Sequence, residues 1–381
     1  MNRIKIQPRE NWQKTIESQG YLYHESQGVQ MWNESAFYEL NDFDVESLEA
    51  ATAELIKMCN AAAEHVVSTG HLERLGIPAS AHQLVVESWK RKDPSLYGRF
   101  DLAYDGVNPP KMLEFNADTP TALLEAAVIQ WFWFQERFPK FDQFNSVHER
   151  LVGAWRAIGA MRSNRVHFAA VEEALEDFMT VAYLRDTAEQ AGLATEYIGI
   201  EEVGWNEGAL EFRDLHERRI ASLFKLYPWE WMLDEDFGKN ISRGTTSWIE
   251  PPWKMLWSTK ALLPILYELF PDSPYLLPAS FSPPDGDYVV KPVHSREGAN
   301  IRLVRAGRSE LETPGPYTGP VIYQKLFNLP CIEGKYPIFG SWVVAGKECG
   351  VGIREDDTPI TRNSSAFVPH VFVSSYPKGE S

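Results

Sequence analysis

Apolar positions along this chain repeat with two different periods. Across residues 45–69, Leu48, Ala51, Leu55, Met58, Ala62 and Val66 recur at intervals of three and four, which predicts a helix with one buried stripe. Asp42 or Asp44 is placed to cap it, and Gly70 ends it. Over 97–117 the period falls to two. That stretch predicts a hairpin of two strands joined around Asp105-Gly106 and Pro109-Pro110. Residues 119–138 return to helical spacing, with Trp131, Phe132, Trp133 and Phe134 as a buried aromatic anchor. From 165 to about 227, β-like runs (166–171, 196–200, 220–226) flank a helical stretch near 174–191 that closes at Gly192, an alternation that predicts a parallel sheet. The proline-rich stretch 248–284 holds two short helices. Strand-like runs follow at 287–293, 300–305, 321–327, 338–345 and 349–354. The fold class is therefore α/β with mixed sheets and a β-rich C-terminal portion.

Strand alternation makes the hairpin informative for chemistry. Phe100, Leu102 and Tyr104 share one face of its first strand, and Leu113 and Phe115 one face of its second. If those apolar faces meet the core, Arg99, Asp101, Glu114 and Asn116 gather on the opposite surface. Two carboxylates and an amide oxygen are hard donors that suit Mg²⁺, and an adjacent arginine suits phosphate oxygens. A solvated sheet face would carry the same alternation. Beyond the hairpin, Thr119 reads as a helix N-cap with Pro120 at the first helical position, which would bring an anion-receiving helix end beside the polar face. Thr119 and Thr121 are then candidates for substrate contact.

Further basic residues lie downstream. Residues 287–301 read as strand, loop and strand, with Lys291 as a point charge and a loop holding Ser295, Arg296 and Gly298 able to close over phosphates; an ordinary hairpin with surface charges fits the same letters. Lys260 reads equally as a solvated helix lysine. The strand around Gln324 has a backbone that can pair with an adenine edge, as nearly any strand has. A hairpin turning near Gly346 brings Arg354, Glu355 and Asp356 to a strand end, where a surface salt bridge is the alternative.

Composition narrows the classes. With 37 basic and 53 acidic side chains the formal charge is −16, which disfavours binding to a nucleic-acid backbone. A hydrophobic fraction of 44% excludes a largely disordered chain. Cys59, Cys331 and Cys349 are too few and too dispersed for a disulfide framework or zinc cluster, and read as reduced thiols, mostly buried. No apolar run approaches the roughly 20 residues that span a bilayer, and the first residues lack the apolar stretch of a signal peptide. A cytoplasmic protein is expected. No HExxH or GxSxG pattern occurs.

Taken in order, the blocks SLYGRFDLAYDG, KMLEFNADTPT, FKLYPWE, WSTKALLPIL, VVKPVHSREGANI, IYQKLF and GSWVVAGKECGVGIREDDTPIT resemble the ATP-grasp synthetase part of the glutathionylspermidine synthase family, over nearly the whole chain. The match looks closest to its stand-alone acid–amine ligases, without the amidase domain of bifunctional members. The resemblance implies one ATP-grasp unit over 1–381. Its approximate regions are 1–160 (metal and substrate), 161–250 (βα), 251–335 (lid and hinge) and 336–381 (C-terminal strands of the ATP and Mg²⁺ site). It implies ATP and two Mg²⁺ ions as cofactors, with Asp101, Glu114 and Asn116 as metal ligands and Glu114 shared. Arg99 and Arg354 would be catalytic. Arg99, Phe100, Asp101, Lys260, Lys291, Gly298, Gln324, Pro359, Ile360 and Thr361 would contact ATP. Thr119, Thr121, Glu230 and Arg296 would contact substrate. The implied reaction joins an acid, such as the peptide glutathione, to a polyamine-like amine through an acyl phosphate. No counterpart is recognisable in 362–368 for the acidic residue that helps bind spermidine. A non-catalytic nucleotide- or polyamine-binding protein of the same fold, and a kinase-like enzyme that stops at a phosphorylated product, are the competing expectations.

Overall fold

The computed structural model describes residues 1–26 and 28–374, so the last residues of the 336–381 region lie outside the described part. Its centre is a five-stranded antiparallel sheet in the order 366–368, 347–356, 336–344, 97–103, 111–116. The hairpin expected near the N-terminal third is thus completed by strands more than 200 residues away. The turn between Tyr336–Val344 and Lys347–Asp356 falls on Ala345 and Gly346, both at positive φ (48° and 75°), the backbone a tight two-residue hairpin requires.

The two faces of this sheet differ. One carries Phe100, Leu102, Met112, Phe115, Phe339, Val351 and Ile353 into a core shared with the long helix Asp42–Thr69. Thr52 of that helix meets Ser341 hydroxyl to hydroxyl at 2.7 Å. On the other face, Tyr97, Trp342 and Val344 pack into a second core with Trp155, Phe168 and Phe224. Farther along, that same face turns polar. The helix is capped by Asn41, whose Oδ1 accepts from the Asp44 N–H while its own N–H donates to the Asp44 carboxylate, so the two expected caps yield to their neighbour; Gly70 closes it at φ 75°.

A four-stranded parallel sheet (247–249, 222–226, 165–170, 194–199) sits beside this centre, with helix Leu175–Gln190 as its crossover. Two buried ion pairs tie it to the central hairpin. Lys225 Nζ lies 2.5 Å from Asp118 Oδ1, and Trp229 N–H donates to Asp118 Oδ2 at 3.0 Å. Glu250 accepts from the N–H groups of Leu96 and Tyr97, and Lys254 donates to the carbonyls of Tyr97 and Ala117. A five-stranded antiparallel sheet (279–280, 321–325, 288–292, 302–305, 308–312) forms a third body, and Asn2–Lys5, Ala36–Leu40 and His370–Phe372 form a three-stranded sheet joining both ends of the described chain. Among the described residues no helix is long and apolar enough to cross a membrane.

Three expectations need correction. The helix after the hairpin begins at Leu123, not at Thr119; it passes through a π-helical turn at Glu125–Ile129 before Gln130–Arg137. Ala122 has φ 61°, which breaks any helix from Thr119, so Thr119 is no N-cap. Within the aromatic cluster only Trp133 and Phe134 are buried, whereas Trp131 and Phe132 are 37% and 48% exposed. A register shift between Asp101 and Leu102 pairs Leu102 with Met112, so Met112 enters the core and Leu113 turns to line a cavity.

Candidate active site

The hairpin register pairs Arg99 with Asn116 and Asp101 with Glu114, so the four side chains share one face. Arg99 and Asp101 are only 6% and 4% exposed, which excludes the solvated-face alternative for this pair. Arg99 Nε donates to Asp101 Oδ1 at 2.7 Å and its Nη1 to the Thr121 carbonyl at 2.6 Å, and its guanidinium lies 5.6 Å from the Trp342 ring centre. Room for this path comes from Gly340 on the adjacent strand, where a Cβ would stand 2.8 Å from Arg99 Cδ. Arg354 Nη2, from the next strand, donates to Asp101 Oδ2 at 2.9 Å. Asn116 Nδ2 bridges Asp101 Oδ2 (3.3 Å) and Glu114 Oε1 (3.2 Å).

Lysines reach this face from two other elements. Lys260 Nζ lies 2.9 Å from Glu114 Oε2 and donates to the Ser295 carbonyl at 2.6 Å, tying the hairpin to the 295–298 loop. Lys291 donates to Leu113 O (2.8 Å) and Gln324 Oε1 (2.7 Å). Burial by itself would raise the pKa of Glu114, but Lys260 and Lys291 outweigh it and hold the carboxyl well below its usual range. Burial brings Lys291 down to about 8 despite the opposing pull of Glu114. Arg354 is also lowered, by burial and by facing Arg99.

Two cavities flank the Glu114–Lys260 pair, which lines both. One, of about 110 Å³, has apolar walls from Leu277, Val289, Ile301, Leu303 and Leu326 and also includes Asp101, Lys291, Gly298, Gln324 and the 359–361 segment. Gly298, at φ 68°, lies against the Thr361 carbonyl so closely that a Cβ would clash with it. The other cavity, about 30 Å³, is polar and lined by Asn116, Asp118, Thr119, His294 and Arg296 among others. There Arg296 donates to Thr119 Oγ1 (2.8 Å) and Glu230 Oε1 (2.5 Å), while its buried Nε has no partner. An apolar slot and a polar notch thus meet at one charged partition.

A family model described as glutathionylspermidine synthase preATP-grasp matches residues 3–373. The chain belongs to that family. Among its relatives, a Haemophilus influenzae protein named "Putative acid--amine ligase" is 40% identical over 370 residues, covering 93% of this chain and 94% of that one. Crithidia fasciculata trypanothione synthetase is 30% identical, covering 76% of this chain but 49% of the relative. The bifunctional glutathionylspermidine synthetase/amidase of Escherichia coli is 28% identical, covering 88% of this chain and 59% of the relative. The chain therefore spans nearly all of the first relative and about half of the longer two.

Within this family fold, the sequence-predicted residues do not all converge. Arg99, Asp101, Glu114, Asn116, Lys260 and Arg354 form one connected set, Lys291 acts on Glu114 through its charge, and Lys291, Gly298, Gln324, Pro359, Ile360 and Thr361 line the apolar cavity beside the set. Thr119, Glu230 and Arg296 form a second group in contact with the partition through the polar notch, and Thr121 contributes its carbonyl to Arg99. Phe100 is the exception. It is fully buried and stacked on Phe115 at 3.8 Å on the opposite face, so its side chain does not reach the cavity. The Gln324 side chain is spent on Lys291 and the Met112 carbonyl.

Sequence reading missed a group of acidic residues. Burial, with the charge of Glu176, raises both Glu125 and Asp177 to about 7, and Glu297 is raised for the same reasons. Their fields also reach the arginines: Arg354 and Arg296 pull down Glu297, and Arg296 pulls down Asp177. Tyr21 Oη donates to Glu125 Oε1 at 2.9 Å. No local motif marks these four. They come from a π-turn, a helix start and the 295–298 loop, and only tertiary packing collects them.

Proposed function

We propose that the chain is an ATP- and Mg²⁺-dependent acid–amine ligase that forms an amide through an acyl phosphate and releases ADP. Support comes from the one connected set that joins Arg99, Asp101, Glu114, Asn116, Lys260 and Arg354 between an apolar slot and a polar notch, in a chain of this family. Amide formation from a carboxylate and an amine in water needs coupling to a favourable reaction. Transfer of the γ-phosphoryl group to the acid leaves ADP and an acyl phosphate. The amine nitrogen then attacks the carbonyl carbon, the C–N bond forms, the C–O bond to phosphate breaks, and the amine proton passes to a base.

In this reading the apolar slot takes the nucleotide base, and Lys260 and Lys291 face its phosphates. Arg99 and Arg354 stabilise charge on the group in transfer. Two carboxylates and an amide oxygen fit hard divalent cations, so Asp101, Glu114 and Asn116 would hold Mg²⁺, with Glu114 shared between two ions. Bound there, Mg²⁺ supplies charge neutralisation on phosphate oxygens. The polar notch, with the unspent Nε of Arg296, receives the peptide-like acid. Glu125 and Asp177, raised to about 7, suit both attraction of a cationic amine and uptake of its proton.

A phosphate-release screen of peptides against polyamines, with mass spectrometry on each hit, tests the proposal. The expected result is phosphate release that requires both partners and divalent cation, with a product lighter by one water than their sum. Nucleotide binding without such coupling would return the chain to a non-catalytic binding role, and a phosphorylated end product to a kinase-like one.

A further inference from the structure

A hollow of about 560 Å³ lies apart from the two cavities described above. It opens between the 19–22 segment, the π-turn and helix of 125–137, helix Val147–Met161 and helix Leu175–Gln190. Most of its wall is apolar, and four large apolar side chains there stay exposed: Leu22, Trp131, Phe132 and Phe178. Exposed aromatics converging on one hollow are unusual for a surface with nothing to bind.

The polar side of the hollow has a definite bias. Gln190 Nε2 donates to Asp186 Oδ2 (2.8 Å), and Gln190 Oε1 meets His148 Nε2 at 3.1 Å, so the other ring nitrogen faces the Tyr183 hydroxyl at 3.0 Å. Asn145 Nδ2 is spent on the Ala126 carbonyl and on Gln143 Oε1. Four side chains thus use their donors on one another or on the backbone. Apart from the Gln19 amide N–H groups, what remains in the lining is acceptor capacity: the exposed carboxylates of Glu149 and Asp186, the latter with one oxygen already taken by Gln190, and the buried, unpartnered Oε1 of Gln19. Neither lysine nor arginine lines the hollow.

We propose that this hollow is a binding site for a hydrophobic cation, an aryl- or alkyl-amine whose apolar body rests on Trp131, Phe132 and Phe178 and whose ammonium faces Glu149 and Asp186. An ammonium supplies only donors, which is what an acceptor-rich wall takes, and aromatic faces add to its attraction. The same elements carry Glu125 and Asp177, next to Leu124 and Phe178 of the hollow's wall, so an occupant bears on the acidic group of the candidate active site. Binding here does not depend on the ligase reading, because it is read without turnover.

Calorimetric titration of the full chain with phenylbutylamine, phenylbutanol and phenylbutanoate tests it. One site is expected, with the amine about fivefold tighter than the alcohol and the acid weaker still, as two solvent-accessible carboxylates dictate. Glu149→Gln combined with Asp186→Asn should erase the preference for the amine while leaving the alcohol's affinity unchanged. Ala182→Trp, made at an exposed helix position on the hollow's wall, should block all three probes with the circular-dichroism spectrum unaltered. Equal affinity for amine and acid would overturn the proposal. So would undiminished amine binding in Ala182→Trp, which would move the amine to another site. A sedimenting dimer that Trp131→Glu dissociates would give the hollow to a second copy of the chain instead.

Discussion

Gly340→Ala adds one methyl group where the structure leaves space for Arg99. Its backbone is not in the left-handed region, so only the contact is perturbed. The new Cβ would lie 2.8 Å from Arg99 Cδ, 3.3 Å from Arg99 Cγ and 3.2 Å from the Gly352 carbonyl oxygen. Ordinary contact begins near 3.4 Å, so the Arg99 side chain must move by several tenths of an ångström. It cannot do so freely, since its guanidinium is held at 2.7 Å by Asp101 and 2.6 Å by the Thr121 carbonyl. Overpacking of this kind costs about 1–3 kcal/mol. Displacement of a transferring-group contact on this scale costs up to about 10² in rate. Urea denaturation and amine-dependent phosphate release measure the two effects. Arg99→Ala removes both clashing carbons, so Gly340→Ala in that background should add little further destabilisation, giving a coupling of about 1–2 kcal/mol. Arg99→Ala by itself should lower turnover by about 10³–10⁵ while the chain still folds. Fully additive destabilisation in the double variant would refute the claim that Gly340 is there for Arg99. Normal turnover in Arg99→Ala would remove Arg99 from the chemistry.

Three other outcomes follow from the same geometry. Gly298→Ala forces a side chain onto the Thr361 carbonyl at φ 68°, which should lower the urea midpoint by about 1–3 kcal/mol of stability and weaken binding of a non-hydrolysable ATP analogue by about tenfold or more; unaltered affinity would detach the loop from the nucleotide. Lys225→Met leaves Asp118 buried without its ion partner and should cost about 3–5 kcal/mol in urea unfolding, largely recovered by adding Asp118→Asn; a loss under about 1 kcal/mol would show the pair to be dispensable. Glu125 has its pKa raised from 4.5 to about 7 by burial and by Glu176, so the folded state holds its proton longer than the unfolded chain. Stability from this group is present below pH 4.5 and is lost as pH rises to about 7, on the order of 3 kcal/mol across that window. Glu125→Gln should flatten that part of the pH–stability curve, and an unchanged slope would contradict the assigned environment.

Local patterns made much of this legible. Alternation over 97–117 placed Arg99, Asp101, Glu114 and Asn116 on one face because a strand's side-chain period is two whatever packs around it. The 3.6-residue spacing over 45–69 and the closing Gly70 are equally local, as is the tight turn at Gly346. The failures are local too, but with distant causes. Thr119 and Pro120 carry the letters of a helix start, yet Arg99 takes the Thr121 carbonyl, Tyr97 takes that of Pro120, and the helix waits until Leu123. Leu113 left its expected face because of a register shift that no residue announces.

Which side of the hairpin would be buried was open in the letters, and so was whether its charges would meet water. By itself the sequence determined the strand faces, the main elements and the family to which the chain belongs. The tertiary structure alone decided that Arg354 arrives two strands over, that Lys260 and Lys291 close on Glu114 from other elements, and that Glu125, Asp177 and Glu297 share a field with Glu176. Faces follow from backbone periodicity, which each residue carries with it. Convergence depends on contacts between residues tens to hundreds of positions apart, whose geometry exists only once the layers have packed.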